Sequence, residues 1–231
     1  MKKLTWITPI LLSGTMFVSC KQAPESDEAV VGDAKEINEN AGAATMAIDT
    51  DNSMVEWIGT KITTYHNGTI NIKSGELMAE NGELVGGNFV FDKQSVLSTD
   101  PKMDEESNMK LTGHLHSDDF FDVENHPEAK FEIASVKPFS NSDVNSSEEG
   151  EWEEISEYKV SDPTHVIEGN LTMRGVTKGI SFPAKVTMTE NGVEAISKFN
   201  FNRMEWGVAF PGMKDDAISE MVHLGISIKT K

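Results

Sequence analysis

The stretch HLHSDDFFDVENHPEAKF, residues 114–131, concentrates the side chains that could do chemistry. His114, His116 and His126 stand among Asp118, Asp119, Asp122 and Glu124, with Phe120 and Phe121 between them. A zinc or iron centre needs imidazole and carboxylate ligands that converge on one point. His114 and His116 are two apart, so on a strand they would share a face and could chelate, with His126 following after a turn. The same residues also make a structural corner. Asp118 or Asp119 can accept backbone N–H bonds at a turn, Phe120 and Phe121 can anchor it, and Asn125-His126-Pro127 reads as the turn into the next strand. We read the stretch as a corner, because its spacing follows no regular ligand pattern and the chain has no zincin motif.

His66, ahead of Asn67-Gly68, would need a nucleophile and an orienting group to act as a base, and no Gly-x-Ser-x-Gly stands in the chain. His165 and His223 fall in or beside predicted strands as ordinary positions. Arg174 and Arg203 are candidates for a ligand head group, since a guanidinium can grip a pyrophosphate or quinone oxygen; each could equally pair with an acidic neighbour inside the fold. No catalytic residue, metal ligand or cofactor is assigned.

The elements that must position these residues are short runs of period two. Val55 and Trp57 share a face, as do Ile70 and Ile72, Phe89 and Phe91, and Phe131 and Ile133. Ile167, Leu171 and Met173 follow, then Ile180, Phe182, Val186 and Met188, then Phe199 and Phe201, and last Val222, Leu224, Ile226 and Ile228. Such alternation, punctuated by Gly and Asn, predicts an antiparallel sheet closed as a sandwich or barrel. Asn67-Gly68, Asn81-Gly82 and Asn191-Gly192 are hairpin signals. About eight strands emerge, a number that closes into a small barrel. A short helix is expected over 104–113, and the acidic run at 141–165 reads as a solvated excursion or long hairpin tip, with Trp152 and Tyr158 available to return to the barrel.

The 231 residues carry a formal net charge of −18, which excludes a nucleic-acid partner and disfavours docking to anionic lipid through charge. Lys2 and Lys3 precede an apolar run ending in Phe17-Val18-Ser19-Cys20, and Cys20 is the single cysteine. This resembles a lipobox, so residues 1–19 are expected to be a lipoprotein signal peptide, with cleavage before Cys20 and lipidation of its thiol. That places the chain in the bacterial cell envelope, anchored on the periplasmic side or at the outer membrane. Residues 20–48 are rich in Ala, Glu, Asp and Gly without sustained period and are expected to form a flexible tether; residues 49–231 form the folded domain.

The order of motifs in that domain resembles the YceI-like family of lipid- and polyisoprenoid-binding barrels. Trp57 stands in the opening strand, followed by His66-Asn67-Gly68, Gly87-Asn88-Phe89-Val90-Phe91-Asp92 and Ser95-Val96. Then come Leu115-His116-Ser117-Asp118-Asp119-Phe120-Phe121-Asp122 and His126-Pro127-Glu128-Ala129-Lys130-Phe131. Gly169-Asn170-Leu171-Thr172-Met173-Arg174-Gly175-Val176-Thr177-Lys178 and Phe201-Asn202-Arg203-Met204-Glu205-Trp206-Gly207 close the series. The resemblance implies an all-β, eight-stranded antiparallel lipocalin-like β-barrel with an apolar pore that takes up an isoprenoid chain. Two departures stand out. The acidic insert is longer than the family's usual connection, and His126 replaces a position more often aromatic.

Alternating apolar residues would fill a sandwich as readily as they would line a pore; the void itself is implied by the resemblance. On that implication the pore lining is Trp57, Phe89, Phe91, Phe131, Ile133, Leu171, Met173, Phe182, Phe199 and Phe201. The expected function is binding of a polyisoprenoid or isoprenoid quinone without covalent chemistry, for storage or transport in the envelope. The membrane is reached through lipidated Cys20, and a homodimer is left open. Two other readings stand beside it: a metal-dependent envelope hydrolase using the His/Asp cluster, and a protein-interaction module docking through the acidic insert.

Overall fold

In a computed structural model, residues 23–37, 40, 42–140, 157–190 and 192–231 are described. Eight strands close an antiparallel barrel: β3 (Met54–Lys61), β4 (Tyr65–Glu80), β5 (Glu83–Ser98), β6 (Glu128–Pro138), β7 (His165–Met173), β8 (Val176–Thr189), β9 (Gly192–Asn202) and β11 (Asp216–Lys229). Each pairs with its chain neighbour, and β11 closes the ring by pairing with both β9 and β3. A two-residue strand β10 (Gly212–Met213) folds onto β11. The core is the inward face read from period two: Val55, Ile72, Phe89, Phe131, Ile133, Ile180, Phe182, Phe199, Phe201 and Ile228 are all buried.

The helix α1 runs Glu105–His116, close to its predicted place. Asp104 starts it by accepting the Ser107 N–H at 2.7 Å, and Glu105 and Glu106 favour the positive end of its dipole. Among the hairpin signals, Asn81-Gly82 forms the β4–β5 turn with φ of 52° and 83°, the left-handed pair that a two-residue loop requires. Asn191 lies outside the described residues. Asn67-Gly68 is not a turn: both residues sit inside β4, opposite Ile58 and Trp57. The glycine is there for close approach. A Cβ on Gly68 would fall 1.9 Å from the Leu97 carbonyl oxygen and 2.6 Å from the Trp57 ring. Gly68→Ala is expected to lower stability by about 3 kcal/mol or more, because the obstacle includes backbone that cannot swing aside; urea denaturation measures it.

The stretch expected to be a tether is partly built into the wall. β1 (Val30–Gly32) pairs with β8 at Gly179–Ser181, and Asn200 of β9 exchanges backbone bonds with Asp27 and Ala29, both 2.8 Å. Among the described residues, β8 and β9 pair with each other over Lys185–Thr189 and Gly192–Ile196. Beyond that the N-terminal strap stands between them. Asn170 fixes its far end by accepting from Lys35 N–H at 2.7 Å and donating to the Lys35 carbonyl at 2.9 Å. Gly179 lets it pass, since a Cβ there would lie 2.3 Å from the Asp33 carbonyl oxygen. Further on, β2 (Ala44–Ala47) pairs with β4 at Glu76–Ala79 and continues the line of β3. Composition suggested a solvated chain because few apolar side chains are used; the strap is held instead by backbone pairing to an open strand edge.

Candidate functional site

Period two also leaves room at the centre. A cavity of about 190 Å³ lies inside the barrel, and a second of about 60 Å³ adjoins it, with Phe91, Phe131, Phe182 and Ile226 on the walls of both. Trp57, Phe91, Phe131, Leu171, Met173, Phe182, Phe199 and Phe201 line the larger, and Phe89 and Ile133 line the smaller. All ten residues proposed for a pore lining therefore reach one of the two cavities. Phe182 and Phe199 stack with centroids 4.3 Å apart, and Phe131 lies 5.7 Å from Phe182, so a belt of rings separates the two spaces. The larger space ends against α1 and the corner that follows, through Leu115, Phe120 and Phe121.

That corner is built from backbone. Ser117 ends α1, and its carbonyl accepts from the N–H groups of Phe120 and Asp122, while Val123 N–H returns to His116. Asp122 takes a left-handed φ of 47°. Two cations clamp the turn from below. Lys93 Nζ donates to the Phe121 carbonyl at 2.9 Å, and Arg174 donates to the carbonyls of Asp118, at 2.8 Å, and Phe120. Arg174, a head-group candidate from the sequence, thus lines neither cavity; its guanidinium is occupied by the corner. Arg203 does reach the larger cavity, yet its N–H groups go to the carbonyls of Ser219, Val208, Phe210 and Ile218. It is 3 % exposed, and burial lowers its pKa while nearby Glu220 opposes.

The histidines do not gather. His114 and His116 sit in the last turn of a helix rather than on a strand, so residues two apart diverge. His114 pairs with Asp119 at 3.1 Å and meets the edges of Phe120 and Phe210, while His116 bonds the Val96 carbonyl at 3.0 Å. His126 lies 3.9 Å from Asp122. No three His, Cys, Asp or Glu side chains converge among the described residues. His66 Nδ1 pairs with Asp100 at 2.9 Å. Burial alone would raise the Asp100 pKa; the Lys102 N–H and His66 outweigh it and hold the carboxyl below its usual value.

His223 faces outward from β11 beneath Tyr158, whose ring stands edge-on at 5.3 Å, and bonds Asn200 Oδ1 at 2.9 Å. Asn200 Nδ2 in turn holds the Pro24 carbonyl of the strap at 2.8 Å. Burial, with Lys198 adding to it, pushes the His223 pKa down to about 4. The folded state therefore holds fewer protons than the unfolded one between pH 6.5 and 4, and stability present above pH 6.5 is lost as pH falls through that window. The wild-type advantage over His223→Gln is expected to shrink by about 3 kcal/mol from pH 7 to pH 4, read from urea midpoints at each pH. Cys20, Trp152 and most of the acidic insert lie outside the described residues.

The residue that sequence reasoning missed is Lys93. Its parity announces it: Phe89, Phe91 and Lys93 are successive alternate positions of β5, so an inward Phe91 implies an inward Lys93. The side chain is 1 % exposed, on the wall of the larger cavity, and burial with the nearby Arg174 charge pushes its pKa down to about 8, against the opposing pull of Asp122.

Comparison with known proteins follows the same outline. The model of the YceI-like domain matches residues 46–230. A UPF0312 protein of Pseudomonas putida is 29 % identical over 157 residues, covering 62 % of this chain and 68 % of that protein. Among solved structures, BcnA of Burkholderia cenocepacia superposes with a TM-score of 0.56 at 13 % identity, over 78 % of this chain and 98 % of its own. A polyisoprenoid binding domain from Saccharophagus degradans, implicated in plant cell wall breakdown, gives a TM-score of 0.52 at 10 % identity, over 80 % and 97 %.

Proposed function

Since the chain belongs to the YceI-like domain family, we propose that it binds the apolar chain of an isoprenoid lipid inside the barrel, without covalent chemistry. The observation that carries this reading is the pair of adjoining cavities walled by aromatic and aliphatic side chains. A chain entering them leaves water at about 0.8 kcal/mol per methylene. The similarity in fold to a polyisoprenoid binding domain supports the same ligand class. The dispersal of the histidines speaks against the metal-hydrolase alternative, since their partners are already chosen.

The barrel works, on this proposal, in the bacterial envelope, where it stores or carries its lipid while anchored through Cys20. The lipobox-like Ser19-Cys20 supports the anchor. The strap changes what an anchor would mean. Pro24 is already bonded to the barrel, and the four residue steps from Cys20 to Pro24 reach at most about 14 Å. The barrel would ride close to the membrane surface rather than on a long leash.

Cavity size sets the test. An apolar cavity of about 150 Å³ holds benzene, so the two spaces together, about 190 and 60 Å³, suit roughly ten carbons before side chains must move. Geraniol, farnesol and geranylgeraniol are titrated against a fluorescent apolar probe bound to the protein. The ten-carbon alcohol is expected to bind, with little further gain in affinity for the fifteen- and twenty-carbon alcohols. Failure of all three to displace the probe would contradict the proposal.

A further inference from the structure

We propose that the α1 end of the cavity is a seat for an anionic oxygen head group, a carboxylate or a phosphate monoester, with Lys93 as its cation and the Trp57 indole N–H as a second donor. The inference rests on the reading of the cavity as a chain-binding space and adds the polar end of the ligand to it.

Three observations converge. Lys93 follows Phe89 and Phe91 onto the inward face of β5 and lies where that strand departs from regular pairing with β4, between the pairs Asn71–Asp92 and Thr69–Leu97. An ammonium has three N–H donors, and the Phe121 carbonyl takes one. Trp57 lines the same cavity with its Nε1 buried and without a hydrogen-bond partner among the described residues. Among the described residues the wall holds Lys93 and Arg203 as its charged residues and no acid; the one acid whose charge opposes the burial of Lys93, Asp122, stands outside the wall, and Arg203 is held by four carbonyls.

A buried ammonium beside an apolar space, with two N–H groups unanswered among the described residues and Asp122 only partly offsetting its burial, is costly. Pinning the Phe121 carbonyl does not require that cost, because a neutral amide could donate the same bond. A carboxylate or phosphate arriving on an apolar chain would neutralise Lys93, accept its free N–H groups and accept from Trp57, while the chain fills the space toward Phe131 and Phe182. The lowered pKa of Lys93, about 8, agrees with this: burial and the Arg174 charge outweigh the pull of Asp122.

Calorimetric titration of the full-length protein with farnesol, farnesoic acid and farnesyl monophosphate keeps the chain constant and varies the head. At least one of the two acids is expected to bind about tenfold or more tightly than the alcohol, and the better of them identifies the head group as carboxylate or phosphate. Lys93→Gln and Lys93→Met are each expected to erase that advantage, read as the ratio of acid to alcohol affinity within the same variant, so either variant that folds suffices. Equal binding of the three by the wild type, or an advantage that survives in a folded Lys93 variant, overturns the head-group seat and leaves chain binding intact. Binding by none of them overturns both.

Discussion

Arg203→Ala is expected to lower stability by about 4 kcal/mol in urea denaturation. The guanidinium sits at the end of β9 in a 3₁₀ turn, Arg203–Trp206, and ties that turn to the 207–211 loop and to β11 through four backbone carbonyls. Truncation leaves those carbonyls inside the protein without donors, at about 1–3 kcal/mol each before relaxation. It also opens a void beside Trp206, which is fully buried. Relief of the charge's own burial offsets part of the loss. Arg203→Lys is expected to recover little, since a single ammonium cannot serve four acceptors spread around a planar fork. A variant as stable as the wild type would show that the guanidinium is not structural and would return it to the ligand.

Ala129→Phe is expected to reduce farnesol affinity by about 100-fold. Ala129 is buried on the wall of the larger cavity, opposite Phe91 on the neighbouring strand β5. A ring at that position takes the room of about four methylenes, worth about 3 kcal/mol of chain burial. Because the ring occupies existing space, the change in stability is expected to stay within about 1.5 kcal/mol. Probe displacement and urea denaturation on the same preparation separate the two effects. Unchanged affinity in a stable variant would mean that the chain lies elsewhere.

The barrel was legible because its strands are amphipathic in the simplest way. Phe89 and Phe91, or Phe199 and Phe201, declare an inward face without help from any distant residue. Asn81-Gly82 declared its turn for an equally local reason. Asn67-Gly68 misled because the same dipeptide serves a different need, the approach of the Trp57 ring across β3 and β4, which depends on a partner strand. The strap was hidden for a stronger version of that reason. Val30 and Val31 pair with residues some 150 positions away, and the bonds that hold Asp27, Ala29 and Lys35 belong to backbone and to Asn170, so composition carries no trace of them.

The site divides in the same way. Its apolar wall followed from periodicity once a hollow centre was granted, and the hollow came from likeness to a family rather than from any pattern. Histidines and aspartates drew attention in residues 114–126 because they are ligand types, yet the fold spends them on helix ends and turns. The functional candidates that matter most, Lys93 and the Trp57 N–H, are ordinary residues whose meaning is their placement. Lys93 was readable from parity with Phe91. The absence of an acid from the wall around it was not, because that depends on every strand that contributes to the wall.

Native mass spectrometry of the whole chain, purified from a bacterial host, tests the central claim most directly, with organic extraction and metal analysis of the same sample. The account predicts a mass excess matched by one isoprenoid lipid in near-equal amount to protein. A protein of bare mass with an empty extract, or one carrying a bound zinc or iron in place of lipid, would contradict it.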